Sequence, residues 1–335
     1  MRGHAPLPSI PAPPPLDEAD VREWQRATRR RRPVTTRLSP ELTFGLLLLA
    51  IYGFTAIAAL IHFGSAVDHL PVDNRFVNID SPPGPSLSHP FGVMRVVGVG
   101  VMIALIEATP WDLALVGGIL LSAAAIGVLA GAFAGLNESG ALDTTITTWS
   151  DSVTAIPPFF LVVLLFLGVI EFVGPPYYLL EFALLYVFVL WPYYARVIRA
   201  RARRIASEPY VEAARAAGAG SPRILFRHVI PNSFPPLLAQ LPADVGNVFF
   251  VLTVFPFVSC FNPNGFPLLS PLPYAQFPEW GNLLAQGTCN GYSIFPNLNF
   301  WWMYLFPALT ILGFGVAVAF TSDGLLHRLL PRRAV

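Results

Sequence analysis

Residues 205–232 read Ile205-Ala-Ser-Glu-Pro-Tyr-Val-Glu-Ala-Ala-Arg-Ala-Ala-Gly-Ala-Gly-Ser-Pro-Arg-Ile-Leu-Phe-Arg-His-Val-Ile-Pro-Asn232. This polar, helix-forming stretch lies between long apolar runs. Ser207 is a good N-cap, and Glu208 puts negative charge where the first backbone N–H groups are unpaired. Pro209 is tolerated that early in a helix and not later. Tyr210, Ala213, Ala214 and Ala217 then recur at helical spacing and form one small-residue face. Gly218 and Gly220 supply a left-handed stop. Ser221 and Pro222 restart a second short helix, which runs through His228 until Pro231 ends it. Two short capped helices joined by a glycine turn make a piece that can fit a groove on another protein.

Glu212-Ala213-Ala214, then Gly218, then Arg227-His228-Val229-Ile230-Pro231-Asn232 resembles the EAA loop of ABC-importer membrane subunits. The likeness is to the dipeptide/oligopeptide/nickel permease family. That resemblance implies a coupling helix docked on a cytoplasmic ATPase, with Ser207, Tyr210, Glu212, Ala213, Ala214, Gly218, Arg227 and Pro231 as the ATPase-coupling set. Taken alone, the same residues would read as an amphipathic connector between two membrane helices.

Working outward, composition sets the class. Of 335 residues, 54% are hydrophobic and 12% charged, about half the roughly 25% charged share of a soluble domain. Mean hydropathy is +0.57. An integral membrane protein follows. Apolar runs of bilayer-crossing length fall at Leu42–Phe63, Leu113–Leu136, Val153–Val173, Tyr177–Val197, Leu237–Val258 and Phe300–Phe320, an all-α bundle of six spans. All 21 basic residues are arginine. With six spans, 19 of them share one side and only Arg75 and Arg95 lie opposite. Arginine excess marks the cytoplasm, which places both termini and the 205–232 loop on the cytoplasmic side of the plasma (inner) membrane.

The organisation follows: a Pro- and Arg-rich cytoplasmic tail over 1–40, a first membrane helix over 41–63, an external loop over 64–110, a core of five helices over 111–327, and a cytoplasmic end over 328–335. The tail lacks the apolar core of a secretory signal and reads as disordered. Its Arg29–Arg32 cluster serves either anionic headgroups or topology. Phe91–Ala108 is apolar too, but Arg95, Gly98 and Gly100 favour an interfacial or external helix over a seventh span. His89-Pro90-Phe91-Gly92 resembles the family's segment before the second span, although Met94 and Val96–Gly98 replace its acidic and Gly-Arg-Asp positions. Near the end, Ser322-Asp323-Gly324-Leu325 and Pro331-Arg332 resemble the family's closing run, so the likeness extends from about His89 to Arg332.

Trp111, Trp191, Trp280, Trp301 and Trp302 sit near span ends, where a headgroup belt is expected. Asp244, followed by Asn247, lies inside the fifth span, where charge is costly. It is either a water-facing position on a translocation path or a carboxylate bonded to a neighbouring helix. Glu171 and Glu181 flank the turn at Gly174-Pro175-Pro176 and read as solvated. Cys260 and Cys289 share one external loop, and a disulfide between them, worth roughly 3–4 kcal/mol, is favoured over two free thiols. In that loop Pro278-Glu279-Trp280-Gly281-Asn282 is similar to a family motif, and the absence of basic residues between Cys260 and Phe300 suits docking of a binding protein.

The sequence holds no P-loop, zinc-ligand spacing or assembled catalytic set. It calls for no cofactor, metal or nucleic acid, and any ATP chemistry belongs to a partner. The resemblance implies a type I importer permease that pairs with a second similar permease, two ATPases and an extracellular solute-binding protein. Together the two permeases would form a path for peptides; oligosaccharides or a nickel chelate are the alternatives. An ion-driven carrier would need a midplane ion site and inverted repeats. A membrane enzyme would need a catalytic cluster inside the spans.

Overall fold

A computed structural model describes residues 39–63, 82–94, 99–137, 140–173, 178–259, 279–288 and 298–329. Residues 1–38 of the tail, the loop residues 64–81, and both Cys260 and Cys289 lie outside the described residues, so the expected disulfide does too. The described residues are helical apart from short connections and one isolated bridge, Val93 to Gly100. In chain order the helices are α1 (Pro40–Phe63), α2 (Val101–Leu136), α3 (Ala141–Thr154), α4 (Pro158–Val173), α5 (Tyr178–Ala206), α6 (Pro209–Ala216), α7 (Ser221–Ile224), α8 (Ile230–Ser259), α9 (Trp280–Thr288) and α10 (Trp302–Leu329). Five are long and apolar enough to cross a membrane, and six spans result if the bent pair α3–α4 counts as one.

Three departures from the sequence reading have clear causes. First, the second long helix begins at Val101 rather than Leu113 and runs for 36 residues. Val101, Ala104, Leu105 and Ala108 are buried, so this run is continuous with the span and packs one face on the bundle. Before it, Met94 N–H donates to Val99 O and Val101 N–H to Gly92 O, which fixes the start of the helix against the 91–94 segment. Gly92 has φ +75°, and a Cβ there would stand 2.5 Å from the Trp302 ring. Second, the expected third span is broken. Pro157 and Pro158 lack N–H groups and push the residues before them away from helical backbone. The chain turns 89° between α3 and α4. Third, Pro231 ends nothing. It sits in the first turn of α8, and the helical run continues from α7 through a π turn at Leu225–Val229. There Ile230 N–H donates to Leu225 O, five residues back. The wider turn accommodates a proline that a plain α-helix would not. Asn232 Nδ2 donates to His228 O at 2.7 Å, and Ser233 Oγ to Val229 O at 2.7 Å.

The α2–α5 contact is the closest in the bundle. Gly127, Gly131 and Gly135 recur every fourth residue along one face of α2. A Cβ on them would stand 2.5 Å from Tyr194 Cβ, 2.3 Å from Ala195 O and 2.6 Å from Ala202 Cβ. Small residues at this spacing let membrane helices approach backbone to backbone. Helix α1 is held differently. Leu42 packs where Gly324 of α10 has no side chain, Tyr52 Oη donates to Thr310 O at 2.8 Å, and Phe44 meets Phe320 edge-on. Phe54, Ile57, Leu60 and Ile61 of α1 face outward.

Two apolar clusters result. The larger one centres on Trp280, Phe249 and Phe314 and ties α2, α5, α8, α9 and α10 together. The smaller one joins Val128, Ala132, Ile198, Ala202, Ile205, Val211, Ile224, Leu225 and Val229. It lies at the arginine-rich end of α5, under the 205–232 stretch.

Candidate functional site

Helix α5 carries Arg196, Arg199, Arg201, Arg203 and Arg204 in its last turns, where cations complement the helix dipole. Ser207 closes this helix instead of capping the next one: its Oγ donates to Arg204 O at 3.0 Å. With that hydroxyl committed to the preceding helix, the N-cap position of α6 falls to Glu208, whose carbonyl accepts the N–H groups of Val211 and Glu212. Pro209 takes the first helical position, as expected.

Val211 is the buried residue of α6 and plugs into the smaller cluster. The face formed by Tyr210, Ala213 and Ala217 therefore points outward. Tyr210 is 45% exposed, Glu212 and Ala213 are exposed, and Ala214 is half-buried. The end of α6 is a double-bonded cap. Gly218 N–H donates to Arg215 O and Ala219 N–H to Ala214 O, both at 2.9 Å, around Gly218 at φ +87°. Gly218 alone supplies the left-handed residue. Gly220, at φ −71°, is instead the N-cap position of α7. Across the turn Phe226 is 62% exposed, Arg227 and Pro231 are exposed, and the His228 ring lies 5.8 Å from that of Tyr210. The product is a short, rigidly capped helix with an outward face of small and aromatic residues. One buried valine fixes it to the bundle.

Asp244 is buried on α8 and accepts a hydrogen bond from Tyr194 Oη of α5 at 2.6 Å. Gln240 Nε2 donates to its other oxygen at 3.4 Å. The carboxylate is thus bonded to a neighbouring helix. Asn247 is separate. It shares an exposed face of α8 with Ala239, Ala243, Gly246 and Phe250, and nothing lies within 4 Å of a Cβ placed on Gly246.

Glu181, expected to be solvated, is buried in the first turn of α5, and neither carboxylate oxygen has a hydrogen-bond partner among the described residues. Trp280 and Trp302 are not belt residues. Trp280 Nε1 donates to Leu105 O at 3.2 Å and its ring stacks on Phe249 at 5.6 Å, while Trp302 Nε1 donates to Val93 O. Exposed Trp111 and Trp301 do suit a belt. The Glu279–Asn282 segment, read as external loop, is instead a buried helix start. Glu279 caps α9 by accepting the N–H groups of Gly281, at 2.7 Å, and Asn282, while Asp112 accepts that of Trp280 at 3.0 Å. Burial pushes the Glu279 carboxyl up to about 8.

Two further features differ in how far the sequence signals them. The Gly127/Gly131/Gly135 spacing was visible as a small-residue repeat. Asp143 gave no such signal. Its buried carboxylate receives Arg199 through both Nε and Nη2, the latter at 2.9 Å, and Arg203 Nη2 at 2.8 Å. Arg196 reaches Thr154 at 3.1 Å and Asp151 at 3.4 Å near the other end of α3.

With this geometry in view, residues 127–334 match the family model described as binding-protein-dependent transport system inner membrane component. The chain belongs to that family. This inner membrane component is 30% identical over 298 residues, 86% of each chain, to a protein of Brucella abortus named as a peptide transport system permease. It is 24% identical over 327 residues to the dipeptide transport system permease protein of Alkalihalophilus pseudofirmus, covering 96% of this chain and 94% of the relative. The dipeptide transport system permease protein of Escherichia coli is 31% identical over 150 residues, 45% of this chain and 44% of that one. The component is thus an all-helical, multi-pass permease subunit of an ABC importer with the type I fold, and it works with ABC-transporter partners.

Proposed function

We propose that this subunit imports peptides, with α6 as the coupling helix that an ATPase grips. The observation that carries the reading is α6 itself: capped at Gly218, anchored by Val211 and left with an outward face of Tyr210, Glu212, Ala213 and Ala217. Such a face is a docking surface, and the arginines around it support a cytoplasmic position for the loop and both termini. Two ATPases, a second similar permease and an extracellular solute-binding protein complete the machine. The exposed α8 face with Asn247 lines the path between the two permeases, because a polar side chain facing lipid would be costly. ATP-driven motion at α6 switches this path between inward and outward access. Peptides are the cargo on the strength of the relatives' names.

Glu212→Arg and Gly218→Val test the coupling. Both variants are expected to insert and assemble but to lose uptake, and wild-type uptake in both refutes the assignment. Uptake of labelled dipeptide, oligosaccharide and nickel chelate by the reconstituted importer tests the cargo; transport of only the latter two overturns the peptide reading.

A further inference from the structure

We propose that α3 is a strut fastened to the arm of α5 by Asp143, and that Asp143 is the positioning residue through which displacement of the coupling loop reaches α4. The proposal rests on the coupling role of α6 argued above.

Helix α3 is a poor helix on its own. It has 14 residues, five of them threonine, and isolated helices shorter than about 12–15 residues are marginal. Thr144, Thr145, Thr147 and Thr154 turn their hydroxyls back onto carbonyls four residues earlier, a habit that weakens helices and bends them. Its place therefore depends on attachment from outside. The attachment is uneven. At the start of α3, Asp143 is buried between two arginines one turn apart on α5, with Arg199 held in the paired geometry that gives guanidinium–carboxylate bonds their strength and direction. Near the end of α3 the ion pair of Asp151 with Arg196 is mostly exposed and holds little; the hold there is apolar, with Val153 buried in the larger cluster and Trp149 meeting Phe188 of α5 edge-on at 5.5 Å.

Location gives this clamp its meaning. Arg203 lies within the last turn of α5, whose end leads directly into α6. Movement of α6 carries that turn with it, because Ile205 and Ala202 share a packed cluster with Val211. Asp143 passes the displacement to α3. The elbow at Ala155–Pro157 then turns it through 89° into α4. Phe159 on α4 touches Phe250 on α8 at 5.1 Å between ring centroids, on the same exposed face as Asn247. The α2–α5 glycine contact leaves little slack in the parallel route, so the displacement is carried through α3.

Adjacency alone does not demonstrate coupling, so the test reads motion. The complete importer, with Cys260 and Cys289 changed to Ser, carries spin labels at Leu164→Cys on α4 and Leu184→Cys on α5, both outward-facing positions. A separate sample carries one at Ala216→Cys on α6. MgATP is the probe. The expected result is a shift in the α4–α5 distance in wild type and in Asp143→Glu, and loss of that shift in Asp143→Asn while the α6 label still responds. A full shift in Asp143→Asn overturns the strut, as does a wild-type distance that ignores MgATP. An α6 label that never responds defeats the coupling reading instead, which separates the two failures. If Asp143→Asn does not assemble, Arg203→Gln is used, which leaves Arg199 in place. It should diminish the shift, since one of the two arginines holding Asp143 is lost; an undiminished shift there refutes the proposal.

Discussion

Replacing Gly131 with alanine should destabilise the bundle more than any other single-methyl addition to α2. The new Cβ would lie 2.3 Å from Ala195 O and 2.9 Å from Ala195 Cα, about 1 Å inside ordinary contact distance. Backbone atoms on α5 cannot rotate away, so the two helices must part. A gap of 0.5–1 Å forfeits roughly a quarter to a half of the dispersion energy of the atoms lining it, and overpacking of this kind costs about 1–3 kcal/mol. Gly117 and Gly118 are the internal controls, because a Cβ at either meets nothing within 4 Å. There alanine should gain up to about 1 kcal/mol from its better helix propensity. The comparison is thermal unfolding of the detergent-solubilised subunit. Gly131→Ala should melt several degrees below wild type, with Gly117→Ala at or above it. Equal melting of Gly131→Ala and Gly117→Ala would refute the close contact and, with it, the rigidity assigned to the α2–α5 pair.

Trp280→Ala should cost about 3–5 kcal/mol, as for other buried aromatic truncations, whereas Trp301→Ala at the surface should leave the melting temperature near wild type; the same melts decide it. Tyr194→Phe removes a hydrogen bond to a buried carboxylate and should destabilise by about 1.5–3 kcal/mol, with Asp244→Asn less damaging because its amide still accepts from Tyr194. The Glu279 carboxyl is raised from 4.5 to about 8 by burial, so its neutral form favours the folded state. That stability is complete below about pH 4.5 and is lost as pH rises towards about 8. Melting temperature should fall across that window in wild type and do so less in Glu279→Gln; an unchanged slope in the variant contradicts the assignment.

How much of this could be read from residues alone depended on whether the cause was local. The α6 helix was legible because its signals are local: Pro209 at one end and Gly218 at the other act on their own backbone. Pro231 misled for the same reason. A proline stops a helix locally, but here it falls in the first turn of α8, directly after a π turn that makes room for it. The Pro157–Pro158 elbow was present in the letters, yet averaging hydropathy over a span-length window hid a right-angle bend. Asp143 and Trp280 were out of reach, since their partners lie 56 and 31 or more residues away and only the fold brings them together. Asp244 illustrates the limit most plainly: composition marked it as costly, and the position of Tyr194 decided how that cost is met.

At Gly218 the absence of neighbours has a chemical corollary. The backbone there is left-handed, and a side chain would meet nothing within 4 Å, so the site rejects ordinary residues on grounds of chirality and not of room. An L-alanine would bear a penalty of about 1–2 kcal/mol, whereas its mirror image, D-alanine introduced by ligation, would rest there unstrained. Such a semisynthetic chain would hold the turn of the docking knuckle in its native conformation at the expense of one exposed methyl group.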